Sequence, residues 1–121
     1  MYTYAATVVR VVDGDSIIVD LDLGRRIWVR DAPHRLAGIA ARELKMPGGV
    51  EARNNLSTLL PVGALVTLRS LRPYKYGDSY MAQITLSDGT DLCNRLIADG
   101  WALPWDGRGS QPVPSWPLAP V

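Results

Sequence analysis

The chain has a single cysteine, Cys93, so neither an internal disulfide nor a cysteine-based metal centre can form. A reducing compartment fits that usage. No run of about 18 apolar residues exists, which excludes an apolar membrane-spanning helix. The opening Met1-Tyr2-Thr3-Tyr4 has no basic stretch leading into an apolar one, so no secretory signal is read and a cytoplasmic location is expected. Excess charge is also missing: the formal net charge is only +1, too little for a polyanion binder that relies on many Lys/Arg–phosphate contacts. There is one histidine, His34, and no internal repeat.

What is present is the balance of a globular domain, with 47% apolar and 21% charged residues in 121. That length supports one domain with one modest core. The basic residues cluster from Arg25 to Lys75, and the later acids Asp78, Asp88, Asp91, Asp99 and Asp106 partly balance them. This is either a local basic face or ordinary solvated charge.

Residues Thr3 to Val12, rich in Thr, Val and Tyr, read as a strand. Asp13-Gly14-Asp15 breaks it as a turn. Ile17, Val19, Leu21 and Leu23 then alternate with Asp20 and Asp22, the pattern of a half-buried strand ended by Gly24. Arg25 to Arg30 alternates again around Ile27 and Val29. Pro33 implies a bulge or an edge before the strand resumes at Arg35. After Pro47-Gly48-Gly49, the spacing of Ala52, Leu56, Leu59 and Leu60 predicts a helix stopped by Pro61 and Gly63. Leu65–Leu71 and Tyr80–Leu86 are further strands. Asp91 or Thr90 caps a short helix carrying Leu92, Leu96 and Ile97, which Gly100 ends. Residues 105–121 are proline-rich and read as an extended or disordered tail to a domain spanning 1–104. Five strands, a helix between the third and fourth, and a second short helix fit a small α+β barrel of the OB type.

Five ordered segments resemble the staphylococcal nuclease (thermonuclease-like) family. They are Val11-Val12-Asp13-Gly14-Asp15-Ser16; Arg35-Leu36-Ala37-Gly38-Ile39 with Glu43 beyond it; Gly49, Glu51 and Ala52; Lys75-Tyr76-Gly77 before a strand containing Ala82; and Leu96-Ile97-Ala98-Asp99-Gly100-Trp101-Ala102. The order holds across roughly residues 5 to 104. The ending Trp101-Ala102-Leu103-Pro104-Trp105-Asp106-Gly107 looks most like versions carried by bacteriophages. The resemblance implies a five-stranded OB barrel that hydrolyses DNA and RNA phosphodiesters with one Ca²⁺. It implies Asp15 as a direct metal ligand with Asp13 nearby, Glu43 as the water-orienting carboxylate and Arg35 as one of two phosphate-gripping arginines. Lys75 and Tyr76 would lie beside the nucleotide.

Two departures make that site incomplete. Ala40 stands where the family has a second metal carboxylate, and Asp78-Ser79 where it has its second arginine; Arg42 also replaces a proline. An alanine side chain cannot ligate a cation, and an aspartate repels phosphate. A charge-stabilising arginine in phosphoryl transfer is worth roughly 10³–10⁵ in rate, and losing a carboxylate weakens Ca²⁺ binding. Arg42, Arg72 or Lys75 swinging toward the phosphate, or Asp31 or Asp78 approaching the metal, would be compensations. Three functions follow: a domain that binds nucleic acid or a nucleotide phosphate with weak or lost cleavage, an active Ca²⁺-dependent nuclease with a rearranged site, or a catalytically dead protein-interaction module. His34, adjacent to Arg35 on a strand, faces the other side and is a poor general base. Cys93 reads as core. Trp28, Tyr74, Tyr76 and Tyr80 are candidates for stacking bases.

Overall fold

In the computed structural model, which describes residues 2–73 and 79–118, Lys75, Tyr76 and Asp78 lie outside the described residues. Among the described residues nine elements follow in order: β1 (Tyr2–Asp13), β2 (Ser16–Asp22), β3 (Trp28–Leu36), β4 (Ile39–Ala41), α1 (Gly49–Leu59), β5 (Leu65–Pro73), β6 (Tyr80–Thr85), α2 (Leu92–Ala98) and β7 (Ala102–Pro104). Strands β1-β2-β3-β6-β5 close into a barrel, and β4 pairs with β7 in a separate two-stranded sheet. Only the β3–β6 pairing is parallel within the barrel. This is a closed, mixed five-stranded barrel with two helices, an OB-fold-like α+β architecture.

Alternation in the sequence places the core. Ala6, Val8, Ile17, Val19, Val66, Leu68 and Ile84 are buried from β1, β2, β5 and β6. Helix α1 adds Ala52 and Leu56, followed by Leu60; α2 adds Leu92 and Leu96. Apolar burial of this kind stabilises by about 25 cal/mol per Å². The Asp91 carboxylate caps α2, accepting from Asn94 N–H at 3.0 Å.

The alternation fails in one place. Leu23, Ile27 and Val29 are exposed, although their spacing marks them as inward-facing. The β2–β3 ladder ends at Asp22↔Trp28. Asp22 Oδ1 accepts from Gly24 N–H, and Arg25 and Arg26 take left-handed φ of 54° and 66°. The hairpin therefore turns before the second strand begins, and residues 23–30 around its tip are exposed.

Proline keeps residues 105–118 free of helix and strand, yet they pack on the barrel. Trp105 N–H donates to Gly38 C=O at 2.9 Å. Pro114 is fully buried, and its carbonyl accepts from Arg42 Nη1. The Trp116 ring lies 5.9 Å from that of Trp101 and rests on Gly48, where an added Cβ would come 2.7 Å from Trp116 Cγ.

His34 belongs to the core wall. It pairs with Ile17 across β2–β3, is 2% exposed, and its Nδ1 lies 3.1 Å from Ala32 C=O. Burial pushes its pKa below the ordinary 6.5. The unfolded chain takes up this proton near pH 6.5 while the folded one does not, so this group's stabilising share is present above that pH and is lost as pH falls. In an NMR titration the His34 Cε1–H resonance is expected to move with a midpoint below 6.5; a midpoint at or above it contradicts the burial argument.

Candidate functional site

The turn joining β1 to β2 carries the first acidic pair. Asp13 Oδ1 accepts from Asp15 N–H at 3.1 Å, an Asx-type closure. Between them Gly14 is buried against β4 and α1. A Cβ there would meet Ala41 Cβ at 2.8 Å and Ala52 Cβ at 3.1 Å, so close approach requires the glycine. This seating turns Asp15 inward, to 4% exposure. Its Oδ2 lies 3.2 Å from Arg35 Nη2 and accepts from Ala41 N–H at 3.1 Å, while Oδ1 accepts from Ser16 Oγ at 3.3 Å.

Arg35 is delivered by the ladder. It pairs with Ser16 on one side and Met81 on the other, which fixes it near the end of β3. Its side chain is 10% exposed. The guanidinium reaches the Asp15 carboxylate and also lies over the Trp105 indole, 5.6 Å from the ring centroid.

Glu43 follows β4 in a loop closed by Met46 N–H donating to Glu43 C=O at 3.0 Å. Gly49 packs directly on the Glu43 backbone, where a Cβ would lie 2.6 Å from the Glu43 carbonyl carbon. The Glu43 carboxylate is half-exposed, with Lys45 Nζ 3.8 Å away.

These residues frame two recesses that share Arg35. One, of about 390 Å³, is acidic and lined by Asp13, Asp15, Glu43, Lys45 and Gln111. The other, of about 480 Å³, is cationic and partly apolar, lined by Arg72, Met81, Gln83, Trp105 and Arg108. The sequence reading's Asp13, Asp15, Arg35 and Glu43 thus meet around one recess; its Lys75 and Tyr76 lie outside the described residues. Trp105, Arg108 and Gln111 were not among the expected site residues. An aromatic followed by Asp-Gly was the available signal, since that pair sets a tight turn.

Burial and the neighbouring Asp13 push the Asp15 carboxyl up to about 7, against the opposing pull of Arg35. Asp15 therefore changes charge near neutrality, and with it the compensation of Arg35. Cys93 is 8% exposed and burial pushes its thiol up to about 12, so it is no nucleophile. Of the other aromatics, Tyr80 is half-exposed and Trp28 carries the Arg30 guanidinium 4.5 Å from its ring centroid.

The donor set does not fit a resident Ca²⁺, which takes roughly six to eight oxygens. Among the described residues no three His, Cys, Asp or Glu side chains converge to hold a metal ion. Asp15 Oδ2 is already engaged by Arg35 and Ala41. Ala40 is wholly buried in β4 opposite Leu103 and supplies no ligand through its side chain. Arg42 is held by the carbonyls of Pro47 and Pro114. Asp31 is exposed, and its N–H donates to Asp20. Among the candidate compensations within the described residues, Arg72 alone joins Arg35 at a recess.

The arrangement can grip an anion at Arg35, with the Glu43 carboxylate lining the same recess. No helix of the described residues is long and apolar enough to cross a membrane. Comparison with known protein-family models and with curated protein sequences returns no match.

Proposed function

We propose that this domain binds a phosphate-bearing ligand, a nucleic acid or a nucleotide, at Arg35, and cleaves it weakly or not at all. The observation that carries this reading is the position of Arg35, buried at the meeting point of a cationic, Trp-lined recess and an acidic one. A guanidinium so placed presents planar donors to phosphate oxygens while Asp15 fixes its orientation. The resemblance to staphylococcal nucleases supports the same ligand class. Ca²⁺ belongs to this reading only as a weakly held ion, because Ala40 supplies no ligand.

A second reading, an active Ca²⁺-dependent nuclease, draws on Asp13, Asp15, Arg35 and Glu43 lining one recess. Incubating the protein with single-stranded and plasmid DNA, in Ca²⁺ or in EDTA, decides between them. The expected result is no Ca²⁺-dependent cleavage, or a rate roughly 10³-fold or more below that of a complete site. Rapid Ca²⁺-dependent cleavage abolished by Glu43→Gln would establish the second reading instead. Failure to bind any nucleic acid or nucleotide would leave a protein-interaction module, since a fold does not fix a function.

A further inference from the structure

We infer that the cationic recess selects a terminal phosphate monoester over an internal phosphodiester, and that Arg108, from the C-terminal segment, is its selecting residue together with Arg72. This rests on the proposed binding at Arg35 and deepens it.

Three arginines, Arg35, Arg72 and Arg108, line one recess of about 480 Å³. Asp15 already offsets Arg35. Neither Arg72 nor Arg108 enters an ion pair among the described residues. One lining carboxylate, Asp106, opposes them, and its Oδ1 is occupied in accepting from Arg108 N–H at 2.9 Å. An internal phosphodiester carries one negative charge. A phosphate monoester carries about −1.5 to −2 near pH 7 and has three acceptor oxygens. Two arginines beyond Arg35 match the monoester better.

The position of Arg108 is built, not incidental. Trp105 Nε1–H donates to Arg108 C=O at 3.0 Å, and Gly107 takes a φ of 86° that lets the chain turn between them. Trp105 is anchored in turn by its N–H on Gly38. The turn therefore fixes Arg108 at the rim while Ile39, Leu71 and Met81 give the recess an apolar wall for a base or sugar. The volume is within the range of pockets for small ligands, about 300–1,000 Å³.

The test uses the full chain and three decathymidylates, bearing a 5′-phosphate, a 3′-phosphate or no terminal phosphate. At least one phosphorylated form is expected to bind about tenfold tighter than the unphosphorylated one, the size of one or two charge-assisted hydrogen bonds. Arg108→Gln is expected to reduce that preference below twofold, and Arg72→Gln to act alike. The intact fold of each variant is checked by its thermal melt. Equal affinity for all three oligonucleotides, with binding still dependent on Arg35, overturns this inference alone. A preference untouched by Arg108→Gln overturns the role of Arg108. No binding by any of the three overturns the proposed function as well.

Discussion

Gly49→Ala is expected to destabilise the protein by about 2 kcal/mol or more, the usual scale for forcing a methyl into filled space. Helix propensity alone predicts the reverse, since alanine is better than glycine in a helix by about 1 kcal/mol. The contact decides it. The new Cβ would sit 2.6 Å from the Glu43 carbonyl carbon and 2.8 Å from Leu44 Cα. Both are backbone atoms, so no side-chain rotation relieves the overlap. Either α1 moves or the loop bearing Glu43 does. With an unfolding entropy near 2.1 cal/mol/K per residue, the loss corresponds to a Tm lower by about 8 °C. Gly63→Ala isolates the other cost of replacing a glycine: Gly63 has a left-handed φ of 86° but nothing within 4 Å, so the variant should lose only about 1–2 kcal/mol to conformational strain. A thermal melt of Gly49→Ala within about 0.5 kcal/mol of the parent would show that Gly49 does not set the Glu43 loop.

Arg35→Met is expected to cost more, and to cost most at high pH. Methionine keeps much of the volume but leaves Asp15 without its counter-charge. Breaking a buried ion pair from one side costs about 3–5 kcal/mol. The pH dependence follows from Asp15. In the parent its carboxyl titrates at about 7 folded, against an ordinary 3.8. The folded state then holds more protons between those values, so this group's stabilising share is full below pH 4 and is lost as pH rises toward 7. Without Arg35 the folded pKa climbs further and the loss continues above 7. Near pH 5 Asp15 is largely protonated in either protein and the variant suffers less. The gap between parent and variant should therefore widen by about 1 kcal/mol from pH 5 to pH 8, measured by denaturant unfolding. A gap that narrows with rising pH would contradict the assignment of Asp15 as the group that titrates against Arg35.

These residues also show what the sequence could and could not disclose. The barrel was legible because Ile17, Val19 and Leu21, and likewise Val66 and Leu68, alternate with polar neighbours over a face that is buried. The same rule misled at Leu23, Ile27 and Val29, because alternation cannot tell whether a partner layer exists. Asp15 and Arg35 were legible as candidates through their motifs. Their ion pair, and Asp15's rise toward neutrality, depend on burial in the folded chain, where the neighbouring Gly14 seats against Ala41 and Ala52 from other elements. The packing of Pro114 and Trp116 was not legible at all. Proline-rich composition reports only that a segment avoids helix and sheet; whether it docks depends on receptors such as Arg42 and Gly48, far away in sequence.

Nucleic-acid binding as a function of salt, with the parent and Arg35→Met side by side, addresses the phosphate site most directly. The parent is expected to bind single-stranded DNA with an affinity that falls as salt rises, since each neutralised phosphate releases counterions. Arg35→Met, tested near pH 5 where it is best folded, should bind at least tenfold more weakly, the loss of a charge-assisted contact. Equal, salt-dependent binding by the folded variant, or no binding by the parent, would contradict a phosphate site centred on Arg35.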